Sequence, residues 1–179
     1  MAPTIGPETL RFGLEAKDLK GPVTSQSLFG NRKPLELEIG AGKGTFLLKE
    51  SALRQEVNFL GIEYARRYWL YAADRLRRAA RENARVVLIE AFDFINAHLA
   101  DDNLSAVHIY FPDPWPKTRH RRRRLFQRNA LALLTDKMKV GARLQIATDH
   151  EDYFAHIEKT IESSTLVEAP FEIRAAADG

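Results

Sequence analysis

The stretch Leu35 to Phe46 reads L-E-L-E-I-G-A-G-K-G-T-F: a short run of strand character, a turn holding three glycines, and the opening of a helix. Such a turn lets a ligand come close to the main chain, and the helix that follows aims its free N–H groups at the same point. Outward from it, apolar runs recur at Val57 to Ile62, Val86 to Ile89, Val107 to Phe111 and Leu144 to Ala147, with longer stretches of helical period between them. Strands alternating with helices predict an α/β fold, a doubly wound and mostly parallel sheet covered on both faces.

The helical stretches carry their own signals. Phe46, Leu47, Leu48 and Leu53 mark a first helix, and Tyr68, Trp69, Ala72, Ala73, Leu76, Ala79 and Ala80 a second. The second has a basic outer face of Arg66, Arg67, Arg75, Arg77, Arg78 and Arg81, and Trp69 and Phe46 are read as core. A short third helix is expected over Phe94 to Leu99, and a fourth from about Arg121 to Met138 with Gly141 as its stop. A fifth begins at Asp149, read as an N-cap, with Asp152 in an acidic first turn. Residues 1 to 33 hold scattered glycines and prolines with little periodicity. They are expected to form a partly flexible arm leading into one domain over residues 34 to 179.

Bulk properties narrow the field. A chain of 179 residues that is 45% hydrophobic fits one core large enough to fold unaided. With no cysteine there can be no disulfide or thiolate metal site, and five scattered histidines give no metal-ligand spacing. The first residues lack a basic segment followed by an apolar core, and no apolar run approaches the ~20 residues that span a bilayer. The expectation is a cytoplasmic protein with no membrane segment and no metal.

Three ligands compete for the glycine turn. A nucleotide phosphate loop needs a glycine five positions before the Gly42-Lys43 pair, where Leu37 stands beside Glu38, and Gly44 occupies the place of Ser or Thr. A carboxylate in a phosphate cradle would repel its ligand. The dinucleotide pattern G-x-G-x-x-G fails as well, because Gly40, Gly42 and Gly44 are spaced G-x-G-x-G. S-adenosylmethionine asks for a close backbone turn, an acid for the ribose hydroxyls and an acid for the methionine ammonium. Glu38 and Glu63 supply both, Glu63 at the end of the second strand, where open α/β sheets bind ligands. As ordinary strand-end carboxylates they would need no ligand. After the third strand, Glu90 or Asp93 could accept from the adenine amino group while Ala91 and Phe92 flank the ring. Position favours Glu90, leaving Asp93 as the cap of the following helix.

A second segment, Phe111 to Arg124, reads F-P-D-P-W-P-K-T-R-H-R-R-R-R. Asp113 lies between two prolines beside Trp115, and six cations follow: Lys117, Arg119, Arg121, Arg122, Arg123 and Arg124. The whole chain carries only +3, so without these six the remainder would be acidic. One basic strip on a near-neutral body points to a polyanion docking at one place, and arginine grips phosphate with a planar fork. Cations at a helix N-terminus would also oppose its dipole, which an external phosphate backbone could offset.

The combination E-I-G-A-G-K-G, G-I-E, F-P-D-P-W-P-K-x-R-H-x-x-R-R and A-T-D-x-x-x-Y-F resembles the bacterial tRNA (guanine-N7-)-methyltransferase family, in order, from about Phe29 to Phe154. The glycine turn is common to many methyltransferases, whereas the F-P-D-P-W-P-K-x-R-H segment is highly specific. The resemblance implies a Rossmann-like methyltransferase sheet and S-adenosyl-L-methionine as cofactor, held by Glu38, Gly40, Gly42, Gly44, Glu63, Glu90, Ala91 and Asp113. Glu90 stands where the family often has the shorter aspartate. Asp113 becomes the catalytic carboxylate, and tRNA is the partner of a monomer or homodimer. Lys117 and Asp149 contact the substrate, and Arg119, Arg122 and Arg123 are placed on phosphates, while Trp115 is read either as stacking on a base or as a core tryptophan after the strand. Family members end with a threonine-containing T-x-[FY]-E segment, for which Phe171 to Arg174 is only a faint echo. A truncated or divergent member with an incomplete sheet edge is therefore expected.

Overall fold

Leu35, Leu37 and Ile39 alternate with Glu36 and Glu38, yet all five are buried, so this strand must be covered on both faces. A computed structural model describes residues 6–115, 119 and 125–162. In chain order it contains α1 (Pro7–Phe12), β1 (Gly13–Glu15), a 3₁₀ turn (Ala16–Asp18), α2 (Ser25–Phe29), β2 (Leu35–Ile39), α3 (Thr45–Leu53) and β3 (Asn58–Glu63). There follow α4 (Arg66–Arg78), β4 (Ala84–Leu88), α5 (Ala91–Ala97), β5 (Leu104–Tyr110), α6 (Arg128–Lys137), β6 (Met138–Ala147) and α7 (Glu151–Glu162).

The six strands form one sheet in the order β1-β4-β3-β2-β5-β6, every pair parallel. On one face Leu35, Leu37, Ile39, Leu60, Ile62, Val107 and Ile109 pack with Phe94 and Ile95 of α5, Leu134 of α6, and Tyr153 and Ile157 of α7. On the other, Phe59, Ala84 and Val86 meet Leu47 of α3 and Trp69, Ala72, Ala73 and Leu76 of α4. The expected doubly wound α/β sheet is thus present. Its order reverses at β2, between β3 and β5, which is where open α/β sheets form a ligand crevice at the carboxyl ends of the strands.

Several boundaries differ from expectation for local reasons. The stretch expected to be an arm contributes α1, α2 and an edge strand, with Gly13, Leu14 and Glu15 paired to Val86, Val87 and Leu88. Three residues are too few for a readable period. The fourth helix starts at Arg128, and residues 125–127 lie outside it. The expected helix start at Arg121 is thus corrected, and the basic strip apart from Arg119 lies outside the described residues. Gly141 stops no helix: α6 ends at Lys137, β6 begins at once, and Gly141 lies where the β5–β6 register shifts. The third helix starts earlier than expected, at Ala91. No helix among the described residues is long and apolar enough to cross a membrane.

Candidate active site

The glycine turn is built from both sides. Gly40 and Ala41 donate their N–H groups to the Ile62 carbonyl (3.0 and 2.9 Å), and Gly42 N–H donates to Glu63 Oε2 (2.8 Å). Gly40, Gly42 and Gly44 all have positive φ, at 80°, 51° and 69°. Their surroundings divide them. A Cβ on Gly40 would meet nothing within 4 Å, so that turn faces open space, whereas on Gly44 it would stand 2.8 Å from the Ala72 Cβ. Gly40 leaves room for a ligand, and Gly44 lets α3 seat against α4. Gly44→Ala therefore combines a left-handed backbone with a collision. It is expected to cost roughly 2–4 kcal/mol, read as a lower denaturant midpoint at unchanged slope.

Glu63 closes β3 and holds two backbone donors, Gly42 N–H through Oε2 and Ala65 N–H through Oε1 (2.7 Å). It ties the turn to the start of α4, and each oxygen keeps a second lone pair for a hydroxyl donor. Glu38 has the opposite condition. It is 6% exposed, and its Oε2 has no hydrogen-bond partner among the described residues. Burial, with the Glu63 carboxylate adding to it, pushes its carboxyl up to about 8. A buried, unpartnered carboxyl beside a second acid is the complement of a cation.

Glu36, two residues earlier on the same face, was not singled out from the sequence, and its surroundings are complete. Arg54 donates to both its oxygens (2.8 and 2.8 Å), His108 Nε2 lies 2.9 Å from Oε2, and His108 Nδ1 is 3.0 Å from the Tyr110 hydroxyl, which donates to Gln145 Oε1 (3.0 Å). Burial opposes ionisation of Glu36, but the His108 and Arg54 hydrogen bonds outweigh it and hold the carboxyl below its ordinary range. This network fastens β2, β5, β6 and α3 beneath an open groove of about 390 Å³.

Glu90 sits after β4 as the cap of α5, its Oε2 accepting from Phe92 and Asp93 N–H (2.7 and 3.3 Å). This corrects the assignment of the cap to Asp93. Glu90 is exposed, with Ala91 half-buried beside it and the Phe92 ring 45% exposed. Beyond β5, Phe111 N–H is tied to the Ala147 carbonyl at the end of β6 (2.8 Å). Phe111 and Trp115 both adopt positive φ, 50° and 41°, and bracket the exposed Asp113. Bulky residues rarely accept that conformation, and strain of this kind gathers at functional sites. Trp115 is half-buried, with contacts in the protein.

Asp149 is exposed just after β6 and does not cap α7 as expected. The His150 carbonyl accepts from Tyr153 and Phe154 N–H (3.0 and 2.9 Å), placing the cap one residue later, and Glu151 and Asp152 form the acidic first turn. Arg119 is exposed, and Lys117, Arg122 and Arg123 lie outside the described residues. Register sets the spread of the rest. Glu38 is level with Gly61 and His108, Glu63 with Leu88, and Tyr110 with Ala147. Glu90, Glu63, the glycine turn, Asp113 and Asp149 therefore follow five adjacent strand ends, about 19 Å across at the usual strand spacing.

A parallel sheet with a glycine turn and acids at its carboxyl edge defines a Rossmann-like methyltransferase. Residues 32–176 match the family described as "Putative methyltransferase". Among solved structures of like fold, a precorrin-6y C5,15-methyltransferase from Geobacter metallireducens superposes with a TM-score of 0.57 at 13% identity, over 85% of this chain and 79% of that one. A 30S ribosomal A1408 methyltransferase from an uncultured bacterium gives 0.55 at 15%, over 75% and 68%. Sequence relatives are nearer. The chain is 42% identical over 151 residues to the tRNA (guanine-N(7)-)-methyltransferase of Rhodopirellula baltica, covering 82% of this chain and 55% of that protein. It is 39% identical over 142 residues to that of Geobacter metallireducens, covering 79% and 67%. The chain belongs to the tRNA (guanine-N(7)-)-methyltransferase family. It spans about half to two thirds of the length of these curated relatives.

Proposed function

We propose that this chain transfers a methyl group from S-adenosylmethionine to N7 of a guanine in tRNA, giving 7-methylguanosine, and does so in the cytoplasm. The observation that carries the reading is the unpartnered Glu38 carboxyl buried beside the glycine turn, which fits a ligand joining a cationic head to a neutral nucleoside. The residues present fit that cofactor. Glu38 would take the methionine ammonium, Glu63 the ribose hydroxyls, and Glu90 with Ala91 the adenine edge, while Gly40 and Gly42 leave the turn open. When bound, the cofactor supplies an electrophilic methyl on a sulfonium.

The rest of the work falls to the protein. Guanine N7 carries a free lone pair, so no proton has to leave before transfer, and the product ring is cationic. Asp113 accepts from the base N1–H and exocyclic amine, and these bonds strengthen as the ring becomes positive. It acts as an anchor and electrostatic stabiliser. Trp115 is placed to stack on a base, Lys117 and Asp149 to contact the substrate, and Arg119, Arg122 and Arg123 to meet phosphates.

Incubation with unmodified tRNA and labelled S-adenosylmethionine, followed by nucleoside analysis, tests the reading. Label in 7-methylguanosine is the expected result. Label in another nucleoside replaces the substrate atom, and tRNA binding without cofactor binding makes the chain a binding module.

A further inference from the structure

The basic outer face of α4 is divided by the structure into two flanks. On one, Arg66 is held by Glu15 (3.0 Å) and Arg77 by Asp74 (2.9 Å), so their charge is met within the protein; Arg78, two turns beyond Tyr71, is held by Asp74 as well (2.9 Å). On the other stand three exposed tyrosines, Tyr64, Tyr68 and Tyr71, at 70%, 43% and 51% exposure. Tyr68 and Tyr71, three residues apart, start a row on one side of the helix, and Tyr64 lies just before the N-cap Ala65 that leads into it. Arg75 extends the row a turn further, its guanidinium 5.7 Å from the Tyr71 ring centre and its Nη1 donating to the Lys43 carbonyl (2.8 Å). The row therefore flanks the glycine turn, and Tyr64 stands directly after Glu63.

Two exposed cations adjoin it. Lys43 in the turn and Arg67 on the helix make no ion pair among the described residues, and no carboxylate stands in the row. Tyrosine rings left in water with free cations beside them match the chemistry of unpaired RNA, in which bases stack on aromatic faces and phosphates meet Arg and Lys. A protein partner has no need of the cations. From Tyr68 to Arg75 the row covers about 10 Å of helix axis, about the length of three stacked bases.

We propose that Tyr64, Tyr68 and Tyr71, with Lys43 and Arg67, form a stacking platform for unpaired nucleotides of the tRNA substrate, next to the cofactor turn. This rests on the reading of tRNA as substrate. Access to N7 within a folded RNA requires bases to be unstacked, and a platform beside the site offsets part of that loss.

Affinity for an unmodified tRNA transcript, followed by fluorescence anisotropy across a salt series with the 179-residue chain, tests it. Tyr68→Ala with Tyr71→Ala is expected to weaken binding at least about tenfold, while Tyr68→Phe with Tyr71→Phe, which keeps both rings, stays within about threefold. Arg67→Ala should lower the slope of log K against log salt by about one. Affinity for S-adenosylmethionine should be the same in all three variants. An alanine pair with wild-type affinity overturns the platform, as does an equal loss in the phenylalanine pair or an unchanged salt slope for Arg67→Ala. A changed sedimentation coefficient of the free alanine variant assigns the row to a protein contact instead. If the unmutated chain binds no tRNA, the substrate reading itself falls and the platform with it; if it binds and the variants match it, only the platform falls.

Discussion

Asp113→Asn is expected to lower the rate of methyl transfer to tRNA by roughly 100- to 1000-fold, the range found when one preorganised electrostatic partner of a developing charge is removed. The substitution keeps the shape of the side chain and the Pro112 and Pro114 that flank it. It changes two things. In the proposed role, the negative charge that would oppose the growing positive charge on the purine disappears, and one oxygen becomes an amide donor that would face the N–H groups of the base. The exposed side chain sits on a segment with two residues at strained φ, so Asn adds no packing defect to account for the loss. The loss should fall on kcat, with the Kd for tRNA within about threefold, because phosphate contacts dominate RNA affinity. Single-turnover rates at saturating tRNA separate the two. A defect confined to KM makes Asp113 a docking residue, and full activity removes it from the site.

The parts legible in the sequence were those whose signal is local. Leu35–Ile39 was found to the residue because an alternating run met a glycine turn, and the other four strands expected from the sequence lie where apolar runs stood. What was not legible depends on partners far along the chain. Glu36 and Glu38 are chemically alike and face the same way, and only the fold decides between them. Arg54, 18 residues on, and His108, 72 residues on, complete Glu36, and no hydrogen bond among the described residues reaches Oε2 of Glu38. The first is structural, and the second is the group proposed to meet the cofactor. The same holds for β1, which exists as a strand only because Val86, Val87 and Leu88 present an edge to it. It holds again on α4, where a uniformly basic sequence becomes a neutralised flank and a tyrosine row once Glu15 and Asp74 have found their arginines. At the cap of α5 the choice between Glu90 and Asp93, three residues apart, turned on which carboxylate meets the free N–H groups of the first turn, which composition and spacing leave open.

Glu38→Gln should separate stability from cofactor binding. In the free protein the carboxyl is pushed up to about 8 by burial and by Glu63, against an ordinary value of 4.5. Between those two values the folded state holds a proton that the unfolded state has released, so folding stability falls as pH rises from 4.5 to about 8 and is flat above. The slope approaches about 1.4 kcal/mol per pH unit, and over this window the total reaches a few kcal/mol. Glutamine never ionises, so the variant should lose this slope, match the parent near pH 5, and exceed it at pH 8.5. The expected gain is seen by comparing denaturant midpoints at the two pH values; parallel profiles would mean that another group carries the proton. Cofactor binding should move the other way. The methionine ammonium needs the ionised form, so binding to the parent at pH 7 should release close to one proton. This is counted by calorimetry in buffers of different ionisation heat, and the variant should release none. Loss of a buried charge partner costs about 3 kcal/mol or more, a weakening on the order of 100-fold in Kd. A variant that is both more stable at high pH and blind to S-adenosylmethionine identifies Glu38 as a group held at a cost to the free protein for the sake of its ligand, and an unchanged Kd assigns the ammonium to another carboxylate.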